Sequence, residues 1–134
     1  MSESTPSATQ IGKHLVEMCN TGREKEFVEQ YYSREIVSVE VVGMPEAGMP
    51  REMKGIDAIK QKGQWWYDNH EVHSWSATGP FPNGEQFLVF FEMDITSKTG
   101  PMAGQRMQMQ EAGLYTVKDG KIVHEQFFYD MGEN

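Results

Sequence analysis

Glu125, Tyr129 and His73 are the side chains whose types and setting point to a reaction. Glu125 and Tyr129 share one alternating face of residues 121–131, so a strand there aims both at the same side of a sheet. A carboxylate on a cavity face lined by Phe87, Val89 and Phe91 would be stripped of water and its pKa raised toward neutrality, as a general base requires. The structural reading instead makes Glu125 half of a cross-strand ion pair. Both readings stay open, because a one-residue change of register turns every side chain to the other face. Tyr129 could orient a carbonyl or phenol oxygen, or stand as an aromatic wall with its hydroxyl in water. Histidine as a residue type titrates near neutrality, so His73 and His124 are further acid or base candidates beside their reading as surface or packing residues. Asp130 falls on the opposite face from Tyr129 and suits the capping of the chain's end or a pairing across a dimer.

Other chemistries find no support. The four histidines are scattered and Cys19 is the only cysteine, so no metal cluster, disulfide or redox dithiol is expected; Cys19 sits in an apolar helical pattern and reads as packing. No GxGxxG, GxxxxGK[ST] or GxSxG occurs, which leaves bound nucleotide and α/β-hydrolase chemistry without a motif. No cofactor is expected. Trp65, Trp66 and Tyr67 could form a stacking wall for a flat ligand, with Trp66 equally suited to filling the core. Met44, Met49 and Met53 could form an adaptable lid over an apolar ligand, or a mobile loop without a task.

The elements that must position these groups follow from periodicity. Ser7 or Thr9 can cap a helix carrying Ile11, Leu15, Met18 and Cys19 at helical spacing, with a stop at Asn20-Thr21-Gly22. A second helix runs from about 24 to 32, with Phe27, Val28, Tyr31 and Tyr32 inward. Residues 37–42 alternate as a strand, 43–54 form a loop rich in Pro, Gly and Met, and 55–69 form a third helix with Ile56, Ile59, Trp66 and His70 along one stripe. Gly63 inside that helix costs about 1 kcal/mol relative to Ala unless close packing needs it. Strands are expected at 71–78, 85–97, 105–117 and 121–131, the last two joined by Asp119-Gly120, the dipeptide of a tight hairpin turn. Helices early and antiparallel strands late mean α+β, with the sheet wrapped around the helices.

In 85–97 the set Phe87, Val89, Phe91, Met93 and Ile95 is apolar and should face the helices. In 105–117 either Gln108 and Gln110 or Met107 and Met109 could be inside; the expected ligand-binding set takes Gln108 and Gln110 with Trp66, Phe87, Val89, Phe91 and Phe127. Phe90, Phe128, Met107 and Met109 on the other face would then form an exposed apolar patch, from which a homodimer joined sheet to sheet is expected.

At 134 residues the chain is one domain, 8–132, behind a polar segment 1–7 expected to be disordered. A formal charge of −8 opposes binding to phosphate backbones, and no basic stripe appears, so nucleic acid is not an expected partner. No apolar run approaches the roughly 20 residues of a membrane span, and the start lacks the form of a secretory signal, so a cytoplasmic setting is expected.

The helix pair ending at Asn20-Thr21-Gly22, the strand 37–42, the helix opening Gly55-Ile-Asp-Ala-Ile59 and the closing run Val117 to Asp130 together resemble the nuclear transport factor 2-like superfamily, and within it the SnoaL-like, polyketide cyclase-like group. That resemblance implies a conical half-barrel, with three N-terminal helices in the concave face of a strongly curved, mainly antiparallel sheet, a deep apolar cavity and a homodimer. It also implies Glu125, Phe127 and Tyr129 on the cavity face. The superfamily's functions are diverse, so fold does not settle function. The positions that match the acid and base of its steroid isomerases hold Leu15, Val39 and Ala112, which excludes that chemistry, and Arg106 with Asp94 and Asp130 is a loose echo of its epoxide hydrolases. Two functions are therefore expected: a pocket protein acting on an apolar cyclic or aromatic compound by cofactor-free acid–base chemistry, or a non-catalytic homodimeric carrier or association module.

Overall fold

Ser7 opens the first helix through a reciprocal cap: its hydroxyl accepts the Gln10 N–H at 3.1 Å, and the Gln10 side chain accepts the Ser7 N–H at 2.8 Å. In the computed structural model, which describes residues 5–130, this cap starts α1 (Ala8–Asn20), whose Ile11, Leu15, Met18 and Cys19 are buried. Burial pushes the Cys19 thiol up to about 12, so it packs as a protonated apolar group. α2 (Glu24–Tyr31) buries Phe27. β1 (Tyr32–Val39), a short 3-10 turn (Pro45–Ala47) and β2 (Glu52–Lys54) lead to α3 (Ile56–Asn69). Four longer strands complete the chain: β3 (His70–Asn83), β4 (Gln86–Ser97), β5 (Arg106–Lys118) and β6 (Lys121–Phe128). Of the segment 1–7 expected to be disordered, 1–4 lie outside the described residues, as do 131 and 132 at the expected end of the domain; Ser7 is the helix cap.

The strands form one sheet in the order β2-β1-β6-β5-β4-β3, antiparallel throughout except where β1 runs parallel to β6. Three helices on a curved, mostly antiparallel sheet make the expected α+β architecture. The β5–β6 hairpin turns at Asp119 (φ 53°) and Gly120 (φ 75°), the two left-handed residues a tight turn between twisted strands requires. Among the described residues no helix is long and apolar enough to cross a membrane.

Three expectations are corrected. β1 begins at Tyr32, five residues before the expected strand, because Tyr32 joins the ladder beside Ile122 of β6 rather than ending a helix. The loop 43–54 contains β2, three residues paired with Val37 to Val39, too short to show a period in sequence. Nor is this segment a free lid: Met53 is buried in the core, Met49 packs against it, and Met44 and Met49 exchange backbone hydrogen bonds at 2.7 and 3.0 Å.

The β4–β5 register decides the facing the sequence left open. Phe91 pairs with Glu111, Met93 with Met109 and Ile95 with Met107, so the two methionines face the helices with the apolar set of β4. Gln108 and Gln110 stand opposite Asp94 and Glu92 on the outer face. Phe87, Val89 and Phe91 are fully packed, with Phe87 stacked on Tyr115 at a ring distance of 5.0 Å and so close to α1 that a Cβ at Gly12 would come within 3.0 Å of its ring. They form core, not the wall of an open cavity.

Gly63 has no such reason to be glycine, since a Cβ there meets nothing within 4 Å. Gly63→Ala is expected to stabilise the fold by about 1 kcal/mol, the difference in helix propensity, seen as a rise of a few degrees in Tm by thermal unfolding.

Candidate functional site

Parallel pairing of β1 with β6 sets Ser38 directly beside Glu125, and a polar network of the inner face is built on that pair. Ser38 Oγ donates to Glu125 Oε2 at 2.7 Å, and the Tyr32 hydroxyl donates to the other carboxylate oxygen. α3 contributes Lys62, one turn from Ile59 and one turn from Trp66 on its inward stripe. Its ammonium donates to Ser38 Oγ at 2.6 Å and to Glu40 Oε2 at 2.6 Å, and lies 5.3 Å from the centre of the Phe127 ring. Glu40 Oε1 accepts from the Tyr129 hydroxyl at 2.9 Å. The result is a continuous polar chain from Tyr32 through Glu125, Ser38, Lys62 and Glu40 to Tyr129.

Depth varies along this chain. Glu125 is only 2 % exposed, whereas the Lys62 and Glu40 side chains keep 17 % and 23 % of their surface in water. Burial raises the Glu125 pKa, opposed by Lys62 and by the Tyr32 and Ser38 hydrogen bonds. Burial, then the Glu125 charge, pushes the Tyr32 and Tyr115 phenols well up, and Tyr129 rises through burial and Glu40. Glu111 on β5 is the exception: partly buried across from the Tyr129 end of β6, it has no hydrogen bond or ion pair with any described residue. Burial and then the Glu40 charge push its carboxyl up to about 7, against the pull of Lys62.

Of the residues picked out in the sequence, Glu125, Tyr129 and Phe127 lie on the inner face. Glu125 is enclosed at 2 % exposure, with one hydroxyl donor on each carboxylate oxygen. Trp66 stacks on His70 at 4.7 Å and meets Trp75 edge-on at 5.5 Å, part of the aromatic packing under α3. His73 is corrected: it sits at a bulge of β3 on the outer face, its Nε2 2.6 Å from Thr96 Oγ1, with β5 and β4 between it and β6. Gln108 and Gln110 are corrected to the outer face, where Gln108 helps line a shallow depression of about 160 Å³ with Glu92 and Asp94. His124 alternates with Glu125 and faces outward, and Arg106 forks Asp94 with two 2.9 Å hydrogen bonds on that outer side. Among the described residues no group of His, Cys, Asp and Glu could hold a metal.

Sequence reasoning missed Tyr32, Ser38, Glu40, Lys62 and Glu111. Lys62 was findable from its place between Ile59 and Trp66, and Glu111 from its alternation with Met107 and Met109. Glu40 follows the last residue of β1, so no strand period marks it.

A curved, mostly antiparallel open sheet packed on three helices defines the nuclear transport factor 2-like, cystatin-like fold class. The SnoaL-like domain matches residues 7–129, and the chain belongs to that family. A protein provisionally named a SnoaL-like polyketide cyclase from Mesorhizobium loti is 40% identical, with a TM-score of 0.83 over 92% of this chain and 100% of that one. A protein of the same provisional name from Jannaschia sp. CCS1 is 13% identical with a TM-score of 0.72, covering 98% of this chain and 92% of its own. A cystatin-like protein of unknown function from Xanthomonas campestris is also 13% identical with a TM-score of 0.72, over 92% and 91% of the two chains. At that identity the last two speak for the fold alone. No curated protein matches the sequence.

The carboxyls of Glu111 and Glu125 are easier to ionise in the unfolded chain, where they titrate near 4.5, than in the folded one. Between about pH 4.5 and about 7 the folded state therefore holds protons the unfolded state releases, and stability falls as pH rises. Urea unfolding of Glu111→Gln is expected to show a smaller loss between pH 5 and 8, by on the order of 2 kcal/mol, leaving the variant the more stable protein at pH 8.

Proposed function

We propose that the inner face binds a small, largely apolar cyclic or aromatic molecule and moves protons on it without a cofactor, as a cyclase, isomerase or dehydratase does. The observation that carries this reading is Glu111: a carboxyl on the inner face with no hydrogen bond or ion pair among the described residues, pushed up to about 7 within the field of the Lys62 ammonium. A group with that pKa is populated in both forms at neutral pH, which suits it to take a proton and return it. In this reading the Glu111 carboxylate removes a proton from carbon next to a ligand carbonyl. The charge that develops on the oxygen is met by the Lys62 ammonium, and the proton then returns to another atom of the ligand. Buried Glu125 positions Ser38, and through it Lys62; Phe127, Met109 and Trp66 supply apolar surface. The provisional name of the Mesorhizobium loti relative supports a ring-forming class of reaction. A cytoplasmic setting suits the single buried thiol.

Deuterium uptake at the α-carbon of 2-tetralone, followed by NMR in heavy-water buffer at pH 7, tests this directly. The wild-type chain is expected to accelerate uptake over buffer, and Glu111→Gln to lose that acceleration by at least about a hundredfold. Binding without acceleration would make the protein a carrier.

We further propose that the chain is a homodimer joined by the outer face of the sheet. Phe81, Phe90 and Phe128 are each about half exposed there; the rings of Phe81 and Phe90 touch at 5.7 Å, and Ala112 lies in register between Phe90 and Phe128. Met107 and Met109, expected in this patch, point inward instead. Light scattering is expected to give twice the chain mass for the wild type and the single-chain mass for Phe90→Glu.

A further inference from the structure

We propose that Glu111 sets the charge of the ligand, so that the inner face accepts uncharged or cationic molecules and turns away carboxylates and other anions. The inference rests on reading this face as a small-molecule site and goes further by naming the class of molecule. Each polar group of the cluster except one has a hydrogen-bond partner. The Lys62 ammonium is paired with Glu40 at 2.6 Å, donates to Ser38 at 2.6 Å and lies over the Phe127 ring. Glu125 has a donor on each oxygen. Glu111 alone has neither hydrogen bond nor ion pair among the described residues.

The groups whose fields reach Glu111 come from every side. Glu40 follows β1, Glu125 lies on β6, Tyr115 is on its own strand, Tyr129 follows β6, and Lys62 projects from α3. Three carboxyls thus surround one ammonium that already has its counter-charge. An anion entering this region adds a net like charge where screening is weak, and the one ammonium there, Lys62, is already paired with Glu40; an oxyanion formed in the reaction adds none, because Glu111 is neutralised as it forms. An ammonium finds the carboxylate of Glu111 unpaired and the Phe127 ring as a second attractive surface. An uncharged ligand adds no like charge beside Glu111 and can accept a hydrogen bond from its protonated form. The upward shift of the Glu111 pKa is consistent with the missing cation.

Three probes sharing one ring system separate these cases: 1-naphthylmethylamine, 1-naphthalenemethanol and 1-naphthoate, titrated calorimetrically into the full chain at pH 8. The amine and the alcohol are expected to bind, with naphthoate about tenfold or more weaker than the alcohol. In Glu111→Gln the gap between naphthoate and alcohol is expected to close while alcohol binding persists, which also reports an intact fold; Glu111→Asp is expected to keep the gap. Naphthoate binding as well as the alcohol, or a gap unchanged in Glu111→Gln, overturns the inference and leaves the pocket reading standing. Failure of all three probes to bind overturns both.

Discussion

A carboxylate removed from water must be given donors, and the demand made by Glu125 organises this molecule. Its two oxygens are met by Tyr32, where α2 passes into β1, and by Ser38 near the end of β1, so one side chain of the last strand fixes both ends of the first. Ser38 in turn accepts from Lys62, which draws α3 against the sheet, and Lys62 holds Glu40 just past β1. The single parallel pairing in an otherwise antiparallel sheet is thus the one that carries this network. Aromatic packing supplies the bulk of the core, with Phe87 on Tyr115 and Trp75 against Phe91. The polar chain supplies the register, since a shift of one residue would leave a buried charge without partners.

Much of the fold was legible because its long elements carry clear periods. The α1 stripe of Ile11, Leu15, Met18 and Cys19, the inward set of β4, and the Asp119-Gly120 turn each state their structure locally. β2 was not legible, because three residues carry no period and are held only by their neighbour, Val37 to Val39. Tyr32 misled for a related reason: it continues the apolar spacing of α2, while its place is decided by a partner 93 residues away.

The site was less legible than the fold, and the reason is physical. In residues 37–42 the alternating valines make Ser38 and Glu40 the natural outward set, yet Ser38 is buried at the centre of the network because Glu125 needs its hydroxyl. Of the residue types that look most reactive, Glu125 lies inside the hydrogen-bonded network and His73 lies on the outer face. The unpartnered carboxyl of Glu111 looked ordinary beside the glutamines and methionines of β5. Shared architecture with proteins at 13% identity accounts for the curved sheet and says nothing of Glu111, whose raised pKa follows from burial and the charges around it.

The pairing of β1 with β6 also has a meaning in time. The partners of Glu125 are separated from it by 93 and 87 residues, so the central contact of the molecule joins the first strand made to the last. A ribosome must release the chain through Glu125 before Tyr32 and Ser38 can meet their carboxylate, and until then Lys62 has only part of its scaffold. Loop closure over that distance is paid late, which places assembly of the inner-face cluster among the final events of folding. During synthesis the helices and the first strand emerge before the strand that carries their carboxylate.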